Sequence, residues 1–491
     1  MNNLLLLVAL PLITAFLLPL MNRVSPALAK LAGPLVLAVT SILGISLWAG
    51  MEQPIAIQLG GFLPPMGITF YADQLSMLFA VAASLGTLLL WPDETNHPVR
   101  QASLALILAA AGTGLALSGD LFNIYVFYEL VAVASYGLIA SKSTPAVMAA
   151  TLRYLVISAF GAALILAGIA LVYQATGSLN LAQLARLAPG YLYNLQGLSA
   201  FVLILIGVGV KAELFPVNTW VPEVYATAPA RVSALLAGVV SKLALLVVVK
   251  LLVLVFQQPE ARMIMLVLGI LGLLSGELAA WRATDYKRML AFSSIGQLGT
   301  IFIAFSVPGE AGVFAGLALT LHHLLLKPAL FMLARRWGGS LANLPGAGKK
   351  SPLAAGLFIL LALSLIGVPP LPGFWAKLLV LVNLAGQGQF LYYLGGLAIL
   401  FGAALEANYL FRVASGLYSE QPRAVAPQPH KTKDLLVASL LSVVLVAGAL
   451  FVSPLADRLH GVASEATDVQ AYISRVQPVR LSPAVAVGVQ P

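Results

Sequence analysis

Ten or more apolar runs of roughly 17–25 residues follow one another along this chain, each long enough to cross a ~30 Å hydrocarbon core as a helix. They leave little room for anything else in 491 residues. Sixty per cent of the chain is hydrophobic and 9% is charged, where a soluble domain carries about a quarter charged residues. That balance excludes a soluble enzyme, a disordered chain and a coiled coil. A membrane barrel needs short alternating strands instead. The chain reads as an all-α polytopic membrane protein.

The runs divide into fourteen expected spans near 3–21, 27–49, 72–91, 102–118, 121–140, 149–173, 196–216, 232–256, 263–281, 289–306, 311–334, 353–384, 390–411 and 435–454. The first lacks a basic n-region and a fitting cleavage site, so it reads as a span and not as a signal peptide. Connections after odd-numbered spans hold 17 of the 27 lysines and arginines. Connections after even-numbered spans hold only Arg186 and Arg262, and the tail holds Arg458, Arg475 and Arg480. Basic loops stay in the cytoplasm, so both termini are expected outside a plasma membrane. The net charge of +9 is then loop charge and not a nucleic-acid footprint. The Gly- and Pro-broken stretch 52–71 fits an external hairpin. Residues 175–195 read as a polar connection with a short surface helix, 412–434 as a basic linker, and 457–491 as an extended or disordered tail.

There is no cysteine. Disulfides, thiolate-held iron–sulfur clusters and c-type haem attachment are excluded. Five histidines without metal spacing give no transition-metal site. No nucleotide-binding loop is present, so no cofactor and no chemical catalysis are expected on this chain.

Ionisable residues inside spans cost at least ~2.5–3.5 kcal/mol each, and a chain that keeps several uses them. Here they are Glu129, Lys211, Glu213, Lys242, Lys250, Glu277, His322, His323, Lys327, Lys377 and Glu406. All five in-span cations are lysine. Burial lowers a lysine's proton affinity, so lysine takes and releases protons where arginine cannot. Two spans are also internally broken. Lys211 precedes Phe215-Pro216, and Gly367-Val368-Pro369-Pro370-Leu371-Pro372-Gly373 leads to Lys377. Broken helices beside charges point to an ion site between structural repeats. They fall in the seventh and twelfth spans, and the odd offset implies inverted repeats.

The stretches GDLFNIYVFYELVAVASYGLIA (119–140), KAELFPVNTWVPEVYATAPARVSALLAGVVSKLALLVVVK (211–250), DYKRMLAFSSIGQLG (285–299), LHHLLLKPALFML (321–333) and GVPPLPGFWAKL (367–378) resemble one family. It is the antiporter-like membrane subunit shared by respiratory complex I, Mrp-type cation/proton antiporters and membrane-bound hydrogenases. The resemblance covers about 60–415 and implies fourteen helices with two inverted five-helix repeats, discontinuous at helices 7 and 12. The implied division is 1–100 for the first three helices, 101–256 and 257–411 for the repeats, 412–434 for the linker, 435–456 for the last helix and 457–491 for the tail. The implied proton relay is Glu129, Lys211, Lys242, His323, Lys327 and Lys377, with Glu129–Lys211 as its switch.

Glu213, Glu277, His322 and Glu406 are secondary candidates for the relay or for a cation site. Glu213 lies two residues after Lys211 and on a helix faces elsewhere. Glu277 is five residues from Arg282, so a cytoplasmic-interface position stands beside a relay role. Lys250, near a span end, is expected to snorkel. The resemblance implies partner membrane subunits, with protons and possible coupling to sodium. GDLFNIYVFYEL leans toward a Mrp-type antiporter. KRMLAFSSIGQLG and GVPPLPGFWAKL fit equally a redox-driven complex of NADH:quinone oxidoreductase or hydrogenase type, whose redox centres would sit on partners. A self-sufficient solute transporter fits poorly, because its site is a local cluster and not a row of lysines. A scaffold subunit leaves the costly lysines unexplained.

Overall fold

A computed structural model describes residues 2–62, 64, 67–92, 97–337, 339–419 and 432–476. It is mostly helical. Two helices, α1 (Asn2–Val24) and α2 (Pro26–Ala49), precede a hairpin of β1 (Ile55–Gln58) and β2 (Thr69–Ala72). The strands are antiparallel, with Ile55 opposite Ala72 and Gln58 opposite Thr69. Next come α3 (Gln74–Leu89), α4 (Pro98–Leu117), α5 (Leu121–Ile139), α6 (Pro145–Thr176) and the short α7 (Leu181–Tyr191). The middle of the chain forms α8 (Leu195–Gly209), α9 (Val221–Thr227), α10 (Ala230–Leu235) and α11 (Ser241–Leu254). Beyond it lie α12 (Pro259–Arg282), α13 (Tyr286–Ser306), α14 (Gly309–Trp337) and the single turn α15 (Ala347–Lys350). The chain closes with α16 (Pro352–Ile366), α17 (Pro372–Gly386), α18 (Phe390–Tyr418), α19 (Thr432–Leu450), α20 (Val452–Thr467) and α21 (Val469–Val476).

Every expected span coincides with one of these helices or with a pair of them. Among the described residues, eleven segments are long and apolar enough to cross a membrane. The other three spans correspond to shorter apolar helices, α3, α8 and the pair α16–α17. The boundaries follow local chemistry. Asp73, Asp120, Thr144, Asn180, Asn194 and Asp285 each cap a helix N-terminus with the side chain. Each supplies an acceptor to an amide that has no partner within its helix.

Burial sorts the helices into two layers. The segment Ala230–Leu254 is buried along its whole length, and α13 nearly so. On the outside, Phe16, Leu31, Leu152, Phe160, Leu397 and Val443 expose large apolar side chains, as suits a hydrocarbon solvent. Without a hydrophobic drive between helices, close packing relies on small residues. The α12–α13 contact does so: a Cβ on Gly276 would sit 2.4 Å from the Gly296 nitrogen, and one on Gly299 2.3 Å from the Leu273 nitrogen. The α6–α8 contact is built likewise, with a Gly207 Cβ 2.4 Å from the Gly161 carbonyl.

Two expectations need correction. The tail is helical over α20 and α21 and is not extended. Leu459, Val462, Ala463, Tyr472 and Val476 are buried, and the Tyr472 ring meets Tyr71 of the hairpin edge-on at 4.5 Å. Its remainder, 477–491, lies outside the described residues. Of the expected linker, 412–418 continues α18 and 432–434 begins α19, whereas 420–431 lies outside them.

Candidate functional site

The first broken helix places Lys211. Regular helix stops at Gly209 and resumes at Val221, with Pro216 between them unable to donate a backbone hydrogen bond. The end of α8 is satisfied by side chains. Tyr128 Oη donates to the Gly207 carbonyl at 3.0 Å, and Trp220 Nε1 donates to the Val210 carbonyl at 3.0 Å. Lys211 Nζ donates to Ser158 Oγ at 3.1 Å and lies 3.4 Å from the Tyr128 ring centroid. Glu129 Oε1 is 3.6 Å from that ammonium; the Lys211 side chain is 1% exposed and that of Glu129 30%. Glu129 Oε1 accepts no hydrogen bond. The pair is therefore close but slack, with the lysine resting on a hydroxyl and a ring face.

Glu213 is not helical. It has φ of 57°, a conformation costly for any residue but glycine. Asn218 Nδ2 holds its backbone carbonyl at 3.1 Å, and Tyr225 Oη donates to Oε1 at 2.7 Å. Its other carboxylate oxygen is buried without a partner. Through Tyr225 the side chain is buried against α9.

The centre is built around a π-helical turn at Leu236–Val240. Such a turn disturbs the regular ladder and is common at functional sites. Here the Ala237 carbonyl accepts from Lys242 Nζ at 2.5 Å and from Ser241 Oγ at 3.0 Å. Lys242 Nζ also contacts His323 Nδ1 directly across from α14. Four residues on, on the same face of α14, Lys327 Nζ donates to Ser293 Oγ at 2.6 Å. Gly238 admits this approach: a Cβ there would lie 2.4 Å from Pro328 Cγ.

The second broken helix places Lys377. Its ammonium donates to the carbonyls of Leu365 at 2.7 Å and Ile366 at 3.2 Å. These belong to the last turn of α16, the end of a helix that favours a cation. Its ion pair is with Glu406 Oε2 at 2.8 Å, and Gln297 Nε2 donates to Glu406 Oε1 at 2.9 Å. This pair is closed where Glu129–Lys211 is slack. His322 Nε2 lies 2.9 Å from Ser364 Oγ. The ring also borders an apolar cavity of about 510 Å³ walled by α14, α17, α19 and α20, so it points away from His323.

Glu277 does not sit at an interface. It is fully buried, and Tyr409 Oη of α18 donates to its Oε2 at 3.0 Å. Five residues before the end of a helix is still deep where α13 and α18 cover it. Lys250 does not snorkel. Its ammonium is buried and donates to the carbonyls of Ala116 at 2.6 Å and Ser118 at 3.4 Å, the exposed ladder end of α4. Among the described residues, no group of three or more His, Cys, Asp or Glu side chains could hold a metal ion.

Sequence reasoning did not single out Ser158, Ser293, Gln297, Ser364 or Tyr409. Neutral polar residues are common in membrane helices and carry no insertion penalty large enough to mark them. It also missed an ion triad centred on the buried Asp434. Asp434 Oδ1 accepts from Arg231 Nε at 2.9 Å and Nη2 at 2.7 Å, and its Oδ2 accepts from Arg335 at 3.0 Å. It ties the start of α19 to the inner helices.

A family model described as NADH:quinone oxidoreductase/Mrp antiporter, TM, matches residues 118–402. A relative named NADH-quinone oxidoreductase subunit N, from Desulforudis audaxviator, is 32% identical, with 90% of this chain and 93% of the relative covered. A Na(+)/H(+) antiporter subunit from Bacillus subtilis is 28% identical, with 93% and 96% covered. Among solved structures, a chain of the membrane-bound sulfane sulfur reductase, an archaeal respiratory membrane complex, superposes with a TM-score of 0.88 at 29% identity, covering 96% of this chain and 99% of that one.

Proposed function

The chain belongs to the NADH:quinone oxidoreductase/Mrp antiporter membrane family, and from that premise we propose that it is a proton-translocating subunit of a multisubunit membrane complex. The observation that carries the reading is the row of buried ionisable groups. It runs from Glu129–Lys211 through Lys242–His323 and Lys327 to Lys377–Glu406. Each buried charge opposes insertion by about 2.5–3.5 kcal/mol, and packing alone gives no reason to keep so many.

Protons enter near Glu129, whose side chain is the partly exposed member of the row. They pass along Lys211, Lys242, His323 and Lys327 and leave at Lys377. Glu213, with one oxygen on Tyr225 and one unpartnered, is a further carboxylate for the route. When the Glu129–Lys211 pair is closed, Lys211 keeps its proton; when it opens, the proton moves on. Fourteen spans in two inverted five-helix repeats, 101–256 and 257–411, accommodate this route. The two broken helices hold equivalent places in the two repeats, and both termini face outside.

The setting we favour is a Mrp-type assembly exchanging protons for a cation such as sodium, supported by the likeness to the Bacillus subtilis antiporter subunit. The likeness to the oxidoreductase subunit and to the sulfane sulfur reductase chain supports a second setting, a redox-driven complex whose electron carriers sit on partners. In either setting Lys211→Ala and Glu129→Gln abolish proton flux in vesicles holding the purified complex, with assembly intact. Wild-type flux in either variant removes the proposal.

A further inference from the structure

The second half of the row contains a connection made of side chains alone. Lys327 Nζ donates to Ser293 Oγ at 2.6 Å, Ser293 Oγ lies 2.8 Å from Tyr409 Oη, and Tyr409 Oη lies 3.0 Å from Glu277 Oε2. All four side chains are buried. They come from four helices, α14, α13, α18 and α12, so nothing local in the chain requires the alignment.

With Glu277 ionised and Lys327 protonated, hydrogen counting gives this string one polarity. Tyr409 has one hydroxyl hydrogen and two oxygen neighbours, so it donates to one and accepts from the other. An ionised Glu277 has no hydrogen to give and must take that of Tyr409. Ser293 then donates to Tyr409, and its free lone pair takes the hydrogen of Lys327. Every donor points one way, from the ammonium to the carboxylate.

We propose that Ser293 and Tyr409 form a hydroxyl bridge that carries the relayed proton from Lys327 to Glu277. The proposal rests on the transport reading above. In the transfer, a Lys327 N–H bond breaks as Ser293 Oγ gains a hydrogen. Ser293 gives its original hydrogen to Tyr409, and Tyr409 gives its own to Glu277 Oε2. An ammonium and a carboxylate become a neutral amine and a neutral acid, so no net charge moves into the low-dielectric interior. The string is then reversed and ready to run back. Each hydroxyl must be present, because losing either one breaks the hydrogen-bonded link between the ammonium and the carboxylate.

Two further observations fit a carboxyl that receives a proton and hands it on. Glu277 Oε1 is buried without a hydrogen-bond partner, so one oxygen stays unengaged. A Cβ at Gly296 would fall 2.3 Å from that oxygen, so glycine at this position keeps its place open.

The test uses the whole complex in sealed vesicles, with proton flux followed by an internal pH dye and carboxyl protonation by infrared difference spectroscopy. Tyr409→Phe, which removes only the bridging oxygen, lowers flux by about a hundredfold, the scale of losing one proton-transfer group. Ser293→Ala does the same, and Ser293→Thr restores what Ser293→Ala loses. The carboxyl band that Glu277→Gln deletes no longer responds to an acid pulse in Tyr409→Phe, a readout that mere packing by the tyrosine would leave unchanged. Should Tyr409→Phe fail to assemble, the two Ser293 variants decide. Wild-type flux in Tyr409→Phe or Ser293→Ala, beside a silent Lys211→Ala, overturns the bridge and leaves the transport reading standing. Wild-type flux in Lys211→Ala overturns both.

Discussion

At the residue scale, the buried lysines divide by what they touch. Lys211, Lys242, Lys327 and Lys377 each reach a hydroxyl, an imidazole or a carboxylate, groups that exchange protons. The hydrogen bonds of Lys250 go to backbone carbonyls, which do not exchange protons. Lys250→Met is therefore expected to retain proton flux. It should cost about 1–3 kcal/mol of stability through the carbonyls left unpartnered, read as a lower melting temperature of the complex. Gly296→Ala places a methyl on the Glu277 carboxylate, 2.3 Å from Oε1. The carboxylate must leave Tyr409, and flux should fall while the complex still assembles; unchanged flux would show that the position of Glu277 is immaterial. The charged members of the row were legible because charge in an apolar run has no cheap explanation. Their partners were not: Ser293 and Tyr409 lie 116 residues apart, and nothing in the chain marks which hydroxyl meets which ammonium. Lys250 was misjudged, and Glu277 left open, for a related reason: distance to a span end says nothing about which neighbour covers the side chain.

At the scale of elements, the apolar helices were legible from length and apolar content, and the two breaks from proline. What was not legible was how the helices meet. The α12–α13 contact depends on glycines facing backbone, with a Gly276 Cβ 2.4 Å from the Gly296 nitrogen. Backbone cannot yield as a side-chain tip can, so Gly276→Ala is expected to cost about 1–3 kcal/mol by overpacking, measured as reduced thermal stability. The helices α20 and α21 were hidden by their mixed composition; their apolar residues form a narrow stripe instead of a run. Their docking carries a pH dependence. Glu465 Oε1 accepts from the Gln74 backbone N–H at 2.8 Å, at the start of α3. Burial raises its carboxyl above the ordinary value, the Gln74 hydrogen bond opposes this, and the Asp73 carboxylate adds to the rise. A raised value in the docked state means that docking is firmest below the ordinary carboxylate range. It weakens as pH rises through the raised value. Protease cleavage near Asp468 should accordingly increase over that interval, and Glu465→Gln should flatten the dependence.

At the scale of the whole molecule, the segment Ala230–Leu254 is buried along its length and α13 nearly so, other helices expose apolar faces, and the ionisable row, Glu129 apart, is buried. The charge census proposes an orientation that labelling can test. Because the chain has no cysteine, a single introduced thiol can be labelled from one side without background. Arg282→Cys is expected to react from the cytoplasmic side and Glu260→Cys from the outside; both positions are exposed, and the reverse pattern would invert the orientation. The central claim is that one continuous buried row carries the protons, and Lys242 stands at its middle, where the two halves meet through His323. The most direct test is proton flux through vesicles containing the intact complex with Lys242→Met, which keeps the bulk and removes the ammonium. The account predicts flux no greater than that of empty vesicles. Wild-type flux through an intact Lys242→Met complex would contradict it.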